Sequence, residues 1–372
     1  MSWYIKNYNL GPRIAVVKRD CYMHNESLSE TMKLTEDNTV KFMSDGKSIA
    51  IEPDNRRLFT DLLDGDIVTI DDRGVISRLY DSLSNEATVF MTGQCNSNCI
   101  MCPASDNERK FNRGLGSDWL AKYIELLPNG IDYLVITGGE PTLNPPLFFS
   151  TLRRLKERFP DAGFLLLSNG RSFVAKKMIT ELLLDCPKRL RVAIPIHGDT
   201  ASLHDSISRV EGSFSQTTKG VTNLLENNIE VELRIVVSKL NYRSLNKIAT
   251  LISQDYRRAI IVNFIGLETL GNCAKYLKQV FIDYVDAFPY IKTAAEILIS
   301  SGIDVSLYNF PLCTVEPGFW SLCSNSITPS KIRYAEICSE CDARSFCGGV
   351  FGSTLSAAKP KLSPVHLKQI VR

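Results

Sequence analysis

The sequence predicts an α/β protein: a partial (β/α)6 barrel with a small β-rich module before it and a cysteine-rich region after it. Three observations carry that expectation. From Ala87 onward, strand-length apolar runs alternate with helix-length amphipathic segments, the pattern of β/α units around a parallel sheet. Before that point the apolar runs are short and separated only by turn clusters. After residue 300 the periodicity fades, while five of the eleven cysteines still lie ahead.

In chain order, residues 1–84 hold the runs RIAVV, SIAIE, DIVTI and GVISRLY, broken by MSDGK, LLDGD and DDRG. Apolar runs of this length between Gly/Asp turns read as strands of a small module. The NESLSETMKLTEDN segment reads as helix or loop. Residues 85–272 supply six strands: Ala87 to Thr92, Tyr133 to Thr137, Gly163 to Ser168, Arg191 to Ile196, Glu230 to Val237 and Ile260 to Ile265. Helices are expected at Ser117 to Leu127, Leu147 to Phe159, Phe173 to Asp185, Ser215 to Asn227 and Tyr242 to Ile252. Six units fall short of the eight that close a barrel, so an open one is expected. Residues 273–372 begin with a helix over Tyr276 to Ser300 and a short strand, IDVSLYN. The tail beyond has too little apolar pattern to order itself, and metal is the expected substitute.

Composition narrows the function. The chain has 372 residues, 44% hydrophobic and 23% charged, which suits a folded protein rather than a disordered one. A net charge of +2 without a basic cluster gives no phosphate-tracking surface, so no nucleic-acid partner is expected; the short KRLR stretch reads as a solvated strand entrance. No apolar run approaches the ~18 residues that span a bilayer, and the N-terminus lacks signal-peptide order. A cytoplasmic location without membrane association is expected. Thiols stay reduced there, which favours metal ligands or catalysts over disulfides. With only four histidines, a zinc enzyme built on His ligands is disfavoured.

Cys95, Cys99 and Cys102 stand at C-x3-C-x2-C spacing in GQCNSNCIMCP, directly after the first barrel strand. A loop of this kind wraps one metal centre, and three thiolates leave a cubane cluster one ligand short. Zinc is the alternative, but closed zinc sites take four ligands and no fourth Cys or His lies nearby in sequence. One β/α unit later comes ITGGEPTLNPP. Its paired glycines let a ligand approach the backbone, and the carboxylate that follows can meet an ammonium group.

Through CNSNCIMC and GGEPT together, residues 87 to 270 resemble the radical S-adenosylmethionine (SAM) superfamily. The resemblance implies a [4Fe-4S] cluster on Cys95, Cys99 and Cys102, whose open iron takes the amino and carboxylate groups of SAM. It further implies that Met101 lies near adenine and that Gly138, Gly139 and Glu140 receive the amino group. Ser168 and Asn169 in LLLSNGR are similar to residues that meet the ribose; an ordinary polar strand-to-helix turn is the other reading. Arg234, inside the apolar run EVELRIVV, wants a buried anion, with the SAM carboxylate as candidate and a snorkelling edge residue as alternative. Ile265 is placed against adenine. The implied chemistry is reductive cleavage of SAM to a 5′-deoxyadenosyl radical that abstracts hydrogen from substrate. An electron donor such as flavodoxin or ferredoxin is implied with it.

Cys338, Cys341 and Cys347 form C-x2-C-x5-C, and Cys313 upstream offers a fourth thiolate, with Cys323 as its competitor. Four thiolates close either an auxiliary [4Fe-4S] cluster or a zinc site. The array is similar to the SPASM or twitch tails of peptide-modifying radical SAM enzymes, though with cysteines for one extra cluster only. Cys21, Cys186 and Cys273 are isolated and read as core residues. LLDGDIVTIDDRG, NSNCIMC, ITGGEPT, LSNGR, IPIHGD, VELRIVV, GLETLG, VSLYNFPLC and the CGG ending, in this order, resemble the His-Xaa-Ser system radical SAM maturase of the C type. That likeness implies a ribosomally made precursor peptide as substrate and a second radical SAM maturase as partner. Pro103 is a departure from the family pattern and bears on loop rigidity. His197 and Asp199, and His204 with Asp205, follow the fourth strand and read either as substrate contacts or as capping and surface polarity. The alternatives kept open are a radical SAM enzyme on a small molecule and a non-catalytic cluster or zinc protein.

Overall fold

A computed structural model describes residues 2–5, 8–18, 31–35, 39–50, 61–110, 116–325 and 331–366. Seven strands build the N-terminal sheet: β1 (Ser2–Tyr4), β2 (Arg13–Lys18), β3 (Thr31–Leu34), β4 (Thr39–Phe42), β5 (Ser48–Ala50), β6 (Ile67–Ile70) and β7 (Val75–Tyr80). Their order is β1-β7-β6-β2-β3-β4-β5, antiparallel except between β2 and β3. Strand β3 corrects the helix-or-loop reading of NESLSETMKLTEDN. Met32 and Leu34 alternate inward and are buried, a two-residue period that only a strand satisfies. Most of that segment, Cys21, and the end of SIAIE lie outside the described residues.

The second sheet has eight strands, all parallel and in chain order: β8 (Glu86–Phe90), β9 (Tyr133–Thr137), β10 (Gly163–Leu167), β11 (Leu190–Pro195), β12 (Glu230–Val236), β13 (Ile261–Ile265), β14 (Asp304–Tyr308) and β15 (Cys323–Ser324). The six expected strands are all there, with ends shifted by two residues at most. The expected count of six is too low. The IDVSLYN strand, assigned to the tail, pairs with β13 over five residues, and β15 pairs with it in turn. Because neighbours follow chain order without reversal, every strand's C-terminal end lies on one rim, and β8 and β15 remain as open edges.

Helices α1 (Ser117–Leu126), α2 (Pro145–Arg158), α3 (Lys176–Asp185), α4 (Ala201–Ser208), α5 (Ser213–Glu226), α6 (Leu245–Asp255) and α7 (Tyr284–Ser300) accompany this sheet. Helix α4 was not expected, being eight residues with little apolar periodicity. The single helix expected over Tyr276 to Ser300 is broken in two: one turn over Leu277–Val280, then, after residues 281–283, α7, which starts where the Asp283 side chain accepts the Val285 N–H. Strand β12 shows how the layers divide. Val231, Leu233 and Ile235 are fully buried in the core shared with the helices, each contributing roughly 1.5–3 kcal/mol, while Glu232 and Arg234 point to the opposite, inner face.

The N-terminal sheet is not detached. Ile14, Ile67 and Tyr80 belong to the barrel's core, and Tyr123 Oη on α1 donates to Leu79 O at 3.2 Å and Thr88 O at 3.1 Å. At the other end, β16 (Ile332–Arg333) and β17 (Val350–Phe351) form a small hairpin before α8 (Gly352–Ala358). Thr354 Oγ1 on α8 donates to Leu267 O at 2.7 Å and accepts the Thr269 N–H, tying the tail to the loop after β13.

Candidate active site

Three loops on the C-terminal rim, after β8, β9 and β10, are knitted together. The loop after β8 carries Cys95, Cys99 and Cys102, and the turn after β9 carries Gly138, Gly139 and Glu140. Gly139 N–H donates to Thr92 O at 2.7 Å and Glu140 N–H to Gln94 O at 2.8 Å. The loops are so close that a Cβ on Gly139 would lie 2.2 Å from Gln94 O, and one on Gly138 would lie 2.4 Å from Thr92 O. Gly138 also takes a positive φ of 150°. The sequence suggested that the glycines clear room for a ligand; the space over their Cα atoms is taken by the cysteine loop itself.

Glu140 is a buried hub. Its Oε1 accepts from Thr142 N (3.1 Å), Thr142 Oγ1 (2.5 Å) and Ser168 Oγ (2.9 Å), and its Oε2 accepts from Asn169 N (2.7 Å). Burial pushes its carboxyl pKa up, against the pull of those donors. Its acceptor capacity is thus divided evenly, two bonds to Thr142 in its own turn and two to the SNG turn after β10. Ser168 is buried, donating to Glu140 and accepting the Gly170 N–H. Asn169 faces the cysteine loop: its Nδ2 donates to Asn96 Oδ1 at 2.6 Å and stands 4.0 Å from Cys95 Sγ. Arg171 adds Nη1 donations to Asn96 O and Ser97 Oγ, held by Gln216 through its Nε.

The far side of the cysteine loop rests on α4 and on residues after β13. Asn98 N–H and Ile100 N–H donate to the α4 carbonyls of Ser208 and Ile207, at 3.1 and 2.9 Å. Asn272 Nδ2 donates to Asn98 Oδ1 and Cys99 O, and Cys273 N–H donates to Cys102 O. Met101 is buried with Ile100, Ile207, Leu267, Cys273 and Val280. Burial pushes the Cys95 thiol up to about 11 and the Cys99 thiol to about 12, with neighbouring cysteines adding to the rise. These thiols lack the positive charge that would make them thiolates, which is what an iron centre supplies. Among the described residues, no three His, Cys, Asp or Glu side chains converge as a nest for one metal ion. A cubane makes a different demand, because its ligands are spread over several irons, and three thiols on one short loop suit it by donor type.

On the inner face, Arg234 and Ile265 occupy neighbouring strands, with Arg234 opposite Asn263 and Ile265 opposite Val236. The anion that Arg234 was expected to need is present within the chain: Glu232 Oε1 accepts its Nε at 2.6 Å. Sequence reading passed over Glu232, although its place two residues before Arg234 on a strand puts both on one face. Of the two histidines, the His204 side chain has an internal use, while His197 Nδ1 is buried without a hydrogen-bond partner among the described residues. His204 Nδ1 accepts the His197 N–H at 3.2 Å, and burial lowers the His204 pKa to about 4 and that of His197 well below the ordinary value. Asp205 accepts from Gly212 N, Ser213 Oγ and Phe214 N and so caps α5.

In the tail, Cys313, Cys338, Cys341 and Cys347 line one cavity of about 20 Å³ with Ala343, Val350 and Leu362. Cys323 is not among its lining residues; it sits on β15, with Sγ 3.9 Å from Phe319 O. Four thiols lining one cavity suit a closed cluster by number and donor type, though they are not drawn together as ligands of a single ion.

Residues 89–252 match the Radical SAM superfamily. The Fe-coproporphyrin III synthase of Methanosarcina barkeri is 24% identical over 172 residues, 44% of this chain and 40% of that protein. The antilisterial bacteriocin subtilosin biosynthesis protein AlbA of Bacillus subtilis is 24% identical over 205 residues, 54% of this chain and 45% of that one. The crystal structure of Streptococcus suis SuiB bound to precursor peptide SuiA is similar with a TM-score of 0.48 and 13% identity, over 60% of this chain and 48% of SuiB. The chain thus spans under half the length of these curated relatives. Among the described residues no helix is long and apolar enough to cross a membrane.

Proposed function

We propose that this radical SAM enzyme cleaves SAM reductively and modifies a ribosomally made peptide, as maturase of a His-Xaa-Ser-type system. The observation that carries the reading is the interlocking of the cysteine loop, the GGE turn and the SNG turn on one rim. When bound, a [4Fe-4S] cluster and SAM supply the electron and the 5′-deoxyadenosyl radical that takes hydrogen from substrate. Cys95, Cys99 and Cys102 are assigned to that cluster, and Cys313, Cys338, Cys341 and Cys347 to an auxiliary one. Met101, Ile265, Ser168, Asn169 and Arg234, with the backbone of Gly138 to Glu140, are assigned to SAM.

The chain's own contribution is positional. Glu140 fixes the SNG turn against the GGE turn, Asn169 and Arg171 fix the cysteine loop, and α4 supports it from outside. A radical aimed at an unactivated carbon needs this, since an ångström of misplacement costs about a hundredfold. The apolar packing of Ile100 and Met101 keeps water from the loop's outer side. Anaerobic reconstitution with iron and sulfide, then reduction with SAM, should yield 5′-deoxyadenosine. Its absence would leave a non-catalytic cluster or zinc protein as the better account.

A groove of about 420 Å³ between the N-terminal sheet and α1, lined by Arg13, Phe42 and Trp119 among others, supports assigning peptide recognition to that module. Its test is pull-down of a His-Xaa-Ser peptide by wild type and Trp119→Ala; undiminished capture would remove the groove from the account. The small-molecule reading is favoured by the likeness to Fe-coproporphyrin III synthase. Co-expression with a peptide carrying His-Xaa-Ser repeats separates the two: a mass change on that peptide supports the maturase, and none favours the small molecule.

A further inference from the structure

The far side of the cysteine loop carries positive charge that the assigned chemistry leaves unused. Arg209, the residue that ends α4, holds its guanidinium 4.1 Å over the Tyr276 ring, and Lys275 Nζ stands 5.2 Å from the same ring. Lys275 reaches Asp106 at 3.3 Å, and Asp106 reaches Arg109 at 2.8 Å. One carboxylate thus answers two cations. Arg209 and the exposed Lys278, a few residues on, have no ion pair among the described residues: Asp205 is spent on capping α5, and Glu211 pairs with neither.

Arg209 is kept in a left-handed backbone conformation, φ 58°, which Gly or Asn adopts with less strain. Holding an arginine there points to a use for its charge. The patch is local, since the whole chain carries a net charge of only +2. It is drawn from separate stretches of chain, which is why no basic run marks it in the sequence. Little protein lies behind it. Tyr276 packs on the apolar cluster of Ile100, Met101, Ile207 and Cys273, and Cys99 packs on the same cluster. Arg209 follows Ser208, whose carbonyl takes the Asn98 N–H, and Lys275 comes soon after Cys273, whose N–H reaches Cys102 O. One layer of side chains therefore separates the exposed cations from thiols assigned to the first cluster.

Building on the proposed function, we infer that this patch docks the acidic face of a flavodoxin and is where the electron enters. In the step it serves, the flavin gives up one electron and the first cluster takes it; no atom changes hands. The other side of the cysteine loop is covered by the GGE and SNG turns, which leaves the far side for a protein to approach. Exposed charges of this kind add little to a settled complex, but a patch of one sign steers an oppositely charged partner and speeds its encounter.

The test follows association of flavodoxin with anaerobically reconstituted protein by biolayer interferometry, at low and at raised salt. Beside it, 5′-deoxyadenosine is measured with dithionite, a small reductant that needs no docking. Arg209→Glu combined with Lys275→Glu should slow association about tenfold at low salt, and raised salt should erase most of the difference from wild type. Lys188→Glu, an exposed cation just before β11 on the opposite rim, should leave association unchanged. With dithionite both variants should make as much 5′-deoxyadenosine as wild type. Should the double reversal fail to fold, Arg209→Gln decides alone, with a smaller slowing in the same direction. Unchanged association in the patch variants, equal slowing in the Lys188 control, or wild-type protein that binds no flavodoxin overturns the docking site and leaves the proposed function standing. Wild-type protein that makes no 5′-deoxyadenosine with dithionite overturns both.

Discussion

Gly139→Ala tests whether the rim is as tightly fitted as described. The added Cβ would meet Gln94 O at 2.2 Å, Gln94 C at 2.6 Å and Gly93 O at 2.7 Å, all backbone atoms that no rotamer can move aside. Reaching an ordinary contact means opening the two loops by roughly 1 Å or more. That displacement removes the Gly139 N–H to Thr92 O and Glu140 N–H to Gln94 O bonds, together about 1–3 kcal/mol of stability. For a domain of this size, that is a fall of some 2–4 °C in Tm per kcal/mol. The functional loss should be larger, about a hundredfold or more in 5′-deoxyadenosine formation, because the cysteine loop moves with its hydrogen-bond partners. Gly130→Ala is the control, since a Cβ there meets nothing within 4 Å. Differential scanning calorimetry and single-turnover chromatography of 5′-deoxyadenosine read both effects. A Gly139→Ala protein with wild-type Tm and turnover would refute the reasoning, and so would an equal loss in the control.

Replacing Cys95, Cys99 or Cys102 singly by Ala should lower bound iron and abolish 5′-deoxyadenosine, while Cys186→Ala, outside all three loops, should change neither. Cys313→Ala should reduce iron per chain to that of the first cluster, and Cys323→Ala should leave it unchanged; the opposite result reassigns the fourth ligand. Burial raises the Asp205 carboxyl pKa, but the donors from Phe214, Ser213 and Gly212 outweigh it and hold the pKa below the ordinary 3.8. Its stabilisation is therefore full above the unfolded value and lost as pH falls through the lower folded one. Asp205→Ala should cost about 1 kcal/mol at neutral pH by chemical denaturation, with a deficit that shrinks in acid; a pH-independent deficit would contradict the capping role.

The barrel was legible because its signal is local. Each β/α unit writes its own alternation into the chain, so the strand over Tyr133–Thr137 falls where expected. The seventh strand was misassigned to the tail because five residues of alternation do not say which sheet they join. The cysteine loop and the GGE turn were legible as spacing. What sequence could not supply was where Glu140 spends its hydrogen bonds, because its partnership with the SNG turn depends on loops that only the folded sheet brings together. That Glu232 answers Arg234 was within reach, since two residues apart on one strand put both on the same face. Sequence leaves the histidines open between two readings, since a buried imidazole serving a backbone N–H, as that of His204 does, looks the same in sequence as one facing substrate.

The anchoring of the cysteine loop also bears on when the molecule can be loaded during its synthesis. Cys102 has been made long before Asn272 and Cys273, whose bonds to Asn98, Cys99 and Cys102 bridge more than 170 residues of chain. Until that stretch leaves the ribosome, one side of the loop is untethered. Closing so distant a contact is slow beside the local pairing of β8 with β9. An iron centre delivered to the nascent chain would meet three thiols in an unfinished setting, so delivery belongs after the sixth strand of the barrel has been translated.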